Sequence, residues 1–530
     1  MTVHDHGSRP YEWVGQLSER RAALTPERVG LVDADSGDEY TYRELDQRAN
    51  RMARLLREHG VEAGDRVAVV SRNRPELVDL YFATAKVGAV LAPLSHRLAP
   101  RETAQLLTLI EPSLLVVEAT FGGETTEAIA HEDCDVDAVS VIGLSTEGSD
   151  ASEFTSPDGR AWEPLQRVLP ADGSPVETAA IGLSDPHLFL HTGGSTGLPK
   201  EVVQTHGGIA WNAFNTIISW GLRPDDVTPM VFPMFHTGGW NVLTIPLFHL
   251  GGTVIISRDF DAGQVLDLVE THAATVLVAV PAILRFMVED DDWDGTDLSS
   301  LRLAKSGGGP CRESVIEAWS ARGVDLSQGY GLTECGPNNF TMPDEFPHEK
   351  TDSIGKPCLY VDARIVDGDG TECDQGEVGE LELASPHAGD RYWHNEAETA
   401  ETFGEWVSTG DLARVDADGY YHIEGRKKEM FVSGGENVYP AEIEDVITDH
   451  PDVDEAVVVP VPDEQWGEVG KAVVEGDQSL GLEDLQSFMA GKIADFKLPR
   501  DLAFVEEMPT SGPSKIDRQA VEERFGEDGA

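Results

Sequence analysis

The sequence predicts an α/β protein: parallel sheets covered by helices, then a small β-rich unit and a compact α+β tail. Three observations predict it. Through most of the chain, short apolar runs alternate with helix-like stretches. After residue 350 the strands shorten and acquire turn pairs. From Gly425 onward helices and strands interleave in a different rhythm.

The elements follow in order. Tyr42 to Glu58 places Leu45, Ala49, Met52, Ala53, Leu55 and Leu56 at mixed three- and four-residue steps, the pattern of a helix with one buried face. Arg66 to Ser71 is a buried strand. Ser113 to Glu118, Val227 to Phe232, Thr253 to Ser257 and Thr275 to Val280 are continuous apolar strands, each followed by a helix-like stretch. That alternation requires parallel sheets with helices on both faces. Asp367-Gly368 and Asp418-Gly419 mark the turns of the β-rich unit. Pro440 to Thr448 and Leu482 to Ala494 are the tail helices, with the strand Ala456 to Val461 between them.

Of 530 residues, 95 are Asp or Glu and 40 are Lys or Arg, a net charge of −55. Such a field repels nucleic acid and anionic lipid, which excludes both as expected partners. A hydrophobic fraction of 40% places the acidity on the surface of a folded core. We read it as adaptation to a salt-rich, halophilic cytoplasm, where cations shorten the Debye length below its value of about 10 Å at 0.1 M. Five cysteines without a CxxC pair fit neither a disulfide framework nor a zinc site. The N-terminus shows no signal peptide, and the longest apolar run, Val276 to Val288, is broken by Pro281 and Arg285. A soluble cytoplasmic protein without stable membrane insertion, monomer or homodimer, is expected.

His191-Thr192-Gly193-Gly194-Ser195-Thr196-Gly197-Leu198-Pro199-Lys200 has the makings of a phosphate loop. Glycines turn N–H groups onto an anion, hydroxyls add donors and the lysine adds charge. It is not a Walker A loop, because Lys200 precedes Glu201 where Ser or Thr would hold magnesium. In Gln328-Gly329-Tyr330-Gly331-Leu332-Thr333-Glu334, Tyr330 offers a flat face to a purine, Thr333 a hydroxyl to phosphate and Glu334 a hard oxygen to Mg²⁺. Ser306-Gly307-Gly308-Gly309-Pro310 precedes it. Asp411 ends Ser408-Thr409-Gly410-Asp411, and its carboxylate suits a vicinal diol. Gly425-Arg426-Lys427-Lys428-Glu429, the segment from Ser433 to Glu444 and the segment from Pro509 to Arg518 complete the set.

Together these segments resemble the ANL superfamily of adenylate-forming enzymes, which holds acyl-CoA synthetases, adenylation domains and luciferases. The resemblance runs from residue 12 to 520. It implies a large N-terminal domain, 1–425, of two doubly wound αβα subdomains plus a small β-barrel-like one. A small mobile α+β domain, 426–530, follows, with its hinge at Lys428. It implies ATP as cosubstrate, held by Thr192, Gly193, Ser195, Thr196, Gly197 and Lys200 on its phosphates. Gly307, Gly308, Gly329, Tyr330, Gly331 and Thr333 would take the adenylate, Asp411 the ribose, Arg426 a further ATP contact and Glu334 the Mg²⁺. Lys515 corresponds to the lysine that catalyses adenylation, and Gly434, Gly435 and Glu436 to the coenzyme A loop. The chain departs from the pattern at Gly194, at Glu201 and at Ser514. Glu201 is expected to moderate the positive field of the neighbouring Lys200.

Phe235-His236-Thr237-Gly238-Gly239-Trp240 resembles the family's gate-and-pocket motif. His236 would separate the thiol tunnel from the acyl site, with Trp240, Gly308 and Gly331 lining the pocket. Gly331 stands where acetate-specific relatives have Trp, implying a deeper pocket. The resulting expectation is an acyl-CoA synthetase that converts a small-molecule carboxylic acid, a medium- or long-chain fatty acid, to acyl-AMP and then to acyl-CoA. Aryl-CoA ligase, carrier-protein loading and an idle binding protein are the alternatives.

Overall fold

The computed structural model describes residues 12–136, 139–146, 148–192, 200–343, 346–433, 436–463, 466–490, 492–493, 497–510 and 516–526. There are two bodies: Met1–Glu345 with Pro357–Asp362 and Leu383–Val407, and Phe346–Lys356 with Ala363–Glu382 and Ser408–Ala530. The β-rich stretch after residue 350 is thus divided between them.

In the first body, the helix Tyr42–Glu58 has the bounds its periodicity predicts. Thr41 accepts from the Glu44 N–H while the Glu44 carboxylate accepts from the Thr41 N–H, a capping box that starts the helix. The largest sheet has eight strands, in the order Arg391–Tyr392, Lys200–Thr205, Pro186–Thr192, Val90–Leu94, Arg66–Val70, Leu114–Glu118, Ser140–Leu144, Glu163–Pro164. The chain passes from Arg66–Val70 to the strand on one side and then crosses to Leu114–Glu118 on the other. That reversal opens a crevice at the strand ends, where α/β sheets take ligands. Beside it the Arg72 guanidinium meets the buried Glu118 carboxylate at 2.6 Å.

A second parallel system follows. Val29–Asp33, Thr253–Ile256 and Val227–Met230 run parallel. Val276–Ala279, Leu303–Ser306 and Leu326–Gln328 form a parallel trio beside them, joined where the Thr275 N–H donates to the Val227 carbonyl at 2.9 Å. Trp319, Leu284, Met287 and Val269 fill the core under the trio.

A four-stranded sheet has the order Asp362–Val366, Gly379–Ala384, Val407–Val415, Tyr421–Arg426. The tail has a five-stranded sheet centred on Gly467–Gly476, whose neighbour Val453–Asp463 contains the expected Ala456 to Val461 strand. The helix Pro440–Thr448 keeps its expected bounds, whereas the second tail helix is Leu482–Met489, shorter than its apolar pattern. Ile443, Ile447, Leu485 and Met489 bury against the sheet. Among the described residues no helix is long and apolar enough to cross a membrane. None of the five cysteines is in a disulfide.

Candidate active site

Two loops of the first body leave the C-terminal ends of adjacent parallel strands, Leu303–Ser306 and Leu326–Gln328, so Ser306 to Pro310 and Gln328 to Glu334 emerge side by side. The Gly329 N–H donates to the Ser306 carbonyl at 2.7 Å, and the Gly307 N–H to that of Ala279 at 3.0 Å. A Cβ on Gly307 would meet nothing within 4 Å, and Gly308 takes a φ of +86°. The backbone there is a bare shelf on which a flat group can lie. Tyr330 stands edge-on to Phe340, ring centroids 5.6 Å apart.

Gly331 differs. A Cβ there would lie 1.8 Å from the Pro337 carbonyl oxygen. Its missing side chain serves this close approach, so the pocket depth expected from it has another explanation in backbone packing.

The hairpin that carries the phosphate-loop motif pairs Thr192 with Lys200 and His191 with Glu201. Because side chains alternate across a strand, the two pairs face opposite sides of the sheet. On one side, the Thr192 hydroxyl donates to the Glu334 carboxylate at 3.2 Å and the Tyr392 hydroxyl donates to the same oxygen at 2.9 Å. Burial, then the Glu334 charge, push the Tyr392 phenol up, keeping it a donor. The Lys200 ammonium lies 5.1 Å from the Tyr392 ring centroid and is ion-paired with Glu398. The Gln204 amide donates to the Thr333 carbonyl at 2.7 Å. On the other side Glu201 is 1% exposed and faces inward. It does not moderate the field at Lys200 as expected from sequence adjacency; Glu398 occupies that role.

His236 is exposed, its ring 4.4 Å from that of Phe235. Trp240, expected on a pocket wall, is fully buried. Its indole N–H donates to the Met234 carbonyl at 2.5 Å and its ring stacks on Tyr81 at 5.1 Å, which makes it core behind His236.

The second body holds Asp411 and Arg426. They are cross-strand partners, and the guanidinium meets the carboxylate at 2.8 Å. Asp411 is 5% exposed, and its N–H donates to the Thr409 hydroxyl at 3.1 Å. Lys428 is exposed in the turn that follows, where the Glu429 and Met430 N–H groups both donate to the Arg426 carbonyl. Glu436 begins a short strand, its backbone paired with Ser433. Gly193, Gly194, Ser195, Thr196, Gly197, Gly434, Gly435, Ser514 and Lys515 lie outside the described residues. Near the last of these, Arg518 is anchored on the buried Glu444, guanidinium to carboxylate at 2.8 Å.

Three residues of the first body escaped the sequence reading. Tyr392 and Glu398 complete the Lys200 and Glu334 cluster from nearly two hundred positions beyond Lys200. Lys305 is fully buried below the Ser306 to Pro310 loop, its ammonium 3.2 Å from the Ser327 hydroxyl, and burial pushes it down to about 8. A lysine inside an apolar strand just before a glycine run was its only signal. For Mg²⁺, the Glu334 carboxylate and Thr192 hydroxyl are hard oxygen donors of the type this ion takes beside phosphate oxygens and water. That pair fits the ion, and when bound it supplies neutralisation of phosphate charge. No group of three or more metal-binding side chains occurs among the described residues.

The model of the AMP-binding enzyme family matches residues 18–393, and that of the AMP-binding enzyme C-terminal domain matches residues 442–515. The chain belongs to the AMP-binding enzymes. It is 34% identical over 517 residues to a feruloyl-CoA synthase of Amycolatopsis sp, covering 97% of this chain and 99% of that one. Identity is 32% over 516 residues to the long-chain-fatty-acid–CoA ligase FadD13 of Mycobacterium tuberculosis, covering 97% and 98%. Among solved structures, the anthranilate CoA ligase AuaEII in complex with anthranoyl-AMP superposes with a TM-score of 0.87 at 26% identity, covering 99% of each chain. In this AMP-binding enzyme the bare Gly307–Gly308 shelf and the Glu334 cluster lie in a chain that shares its fold with that anthranoyl-AMP complex.

Proposed function

We propose that this AMP-binding acid–thiol ligase activates an aromatic carboxylic acid with ATP and transfers the acyl group to coenzyme A. The observation that carries the reading is the joining of Thr192, Lys200, Glu334 and Tyr392 on one side of the hairpin. A carboxylate oxygen attacks the α-phosphorus, the bond to the bridging oxygen breaks, and pyrophosphate leaves. Thr192 and Lys200 hold the departing phosphates. Asp411, held by Arg426, accepts from the ribose hydroxyls. Lys515 bridges the attacking carboxylate and the α-phosphate, where charge develops. The CoA thiol then loses its proton, its sulfur attacks the acyl carbon, and AMP leaves. Lys428 is the hinge between the steps, and Gly434, Gly435 and Glu436 line the path of the thiol.

The aromatic preference is supported by the flat, side-chain-free shelf at Gly307 and Gly308 and by the aromatic acids named for two of the proteins above. The fatty-acid reading is favoured by FadD13. Acid-dependent pyrophosphate release, with and without CoA, across aryl and C6–C18 acids in high salt tests both. A kcat/KM ranking led by aryl acids is expected, and one led by fatty acids overturns the aromatic assignment. Release that stops at one equivalent without CoA and turns over once CoA is added supports a CoA acceptor, whereas release that CoA does not carry past acyl-AMP favours a carrier protein; no release with any acid by a folded protein overturns the ligase. Lys515→Ala should lose about 10²- to 10³-fold in adenylation, the size of one electrostatic donor.

A further inference from the structure

The inward side of the hairpin holds an acid and a base that make no hydrogen bond to each other. Glu201 and His191 are cross-strand partners, with Oε1 and Nδ1 4.0 Å apart. Both Glu201 oxygens and His191 Nδ1 are buried without a hydrogen-bond partner. The His191 ring is bonded to the Pro93 carbonyl. Since Nδ1 is unpartnered, that bond comes from Nε2–H, and Nδ1 is left as an acceptor aimed at the carboxyl group. The same ring stacks against Phe235, 6.0 Å between centroids and 17° between planes, and lies 6.1 Å from His236.

We propose that Glu201 carries a proton and donates it in a hydrogen bond to His191 Nδ1, fixing the imidazole that backs the Phe235–His236 turn. Glu201 is thereby a positioning residue for the acid-binding side of the site. A shift of about 1 Å brings the two atoms within hydrogen-bond range. A neutral acid can supply the hydrogen that Nδ1 lacks; an ionised one would set a second acceptor against it and leave a buried charge uncompensated. The groups around the pair supply no such charge. Lys200 and Gln204 point to the opposite side of the strand, the imidazole of His236 lies beyond His191, and that of His96 lies beyond Phe235 at 5.4 Å; on the neighbouring strand Trp393 stands opposite Glu201, and Arg391, opposite Val203, is ion-paired with Asp390. Burial accordingly pushes the Glu201 carboxyl up to about 8 and holds His191 down to about 3.

Only the kinetic consequence rests on the ligase reading, so two activity-independent measurements stand beside it. Glu201→Gln keeps a donor without a titrating proton, and Glu201→Leu keeps bulk without a donor. In infrared difference spectra of wild type minus Glu201→Gln at pH 7, the carbonyl band of a protonated carboxylic acid is expected; a carboxylate band in its place overturns the proposal. The unfolded chain releases this proton at about 4.3, whereas the folded one keeps it to about 8, so Glu201 makes stability fall as pH rises between them. His191 and His96 work in the opposite direction below about 6.5, which leaves pH 6.5 to 8 as the clean window. There the thermal midpoint of Glu201→Gln should rise steadily relative to wild type, and a constant difference overturns the assignment. In kinetics, Glu201→Leu should raise KM for the carboxylic acid about fivefold, the size of one lost hydrogen bond, with KM for ATP unchanged. Glu201→Gln should restore it. Equal KM values in wild type and Glu201→Leu overturn the positioning role even where the infrared band is present. Absence of turnover in all three proteins counts against the ligase, and the first two measurements still decide the proton.

Discussion

Lys200 and Glu201 are neighbours in sequence and belong to different regions of the molecule. The side of the hairpin bearing Thr192 and Lys200 is partly exposed, and its groups are joined to Glu334, Tyr392 and Glu398. The side bearing His187, His191 and Glu201 is buried, and its ring nitrogens and carboxyl oxygens are largely unpartnered. It continues through Tyr81, 4.5 Å from His187, to Trp240. Polar groups that meet water and one another cost little in the free enzyme and are available to a charged ligand. Polar groups enclosed among rings are held neutral and govern shape and stability. One strand thus carries joined, partly exposed polar groups on one side and enclosed, largely unpartnered ones on the other.

The largest expected effect probes the buried side. Trp240→Ala should lose about 3–5 kcal/mol of folding stability through the lost ring and the cavity it leaves, measured by denaturant unfolding in high salt. A loss below about 1 kcal/mol, typical of a surface substitution, would break the contrast by showing that Trp240 faces a collapsible pocket. Next, Glu334→Gln on the polar side should cost about 10²- to 10³-fold in acid-dependent pyrophosphate release while leaving the unfolding midpoint in place. A large fall in midpoint with unchanged kcat would reverse the roles of the two sides. Tyr392→Phe removes the phenol that donates to Glu334, a hydrogen bond to a charged group worth about 1.5–3 kcal/mol, and should lower kcat/KM for ATP by about tenfold or more. Equal effects on ATP and on the carboxylic acid would show that Tyr392 acts on the site as a whole.

Legibility in the sequence followed the range of the interactions. The helices Tyr42–Glu58 and Pro440–Thr448 were bounded correctly because capping and periodicity are local. The apolar strand at Thr253 was likewise found within a residue, at Thr253–Ile256, because a buried parallel strand is marked by its own side chains. The pairing of Asp411 with Arg426 was less accessible. Both residues were singled out, yet their ion pair depends on the register of two strands. Trp240 and Gly331 were read as pocket features because their residue types suit a pocket, and neither type discloses what stands opposite.

The chain by itself determined where strands, helices, glycine loops and candidate charges occur, since these follow from residues within a few positions of one another. Tertiary structure alone decided that Lys200 meets Glu398, that Pro337 presses on Gly331 and that Glu201 turns inward to His191. Those outcomes depend on which remote backbone arrives beside a residue and on which side of the sheet its Cβ falls. Sequence spacing specifies the alternation of sides but not what waits on each.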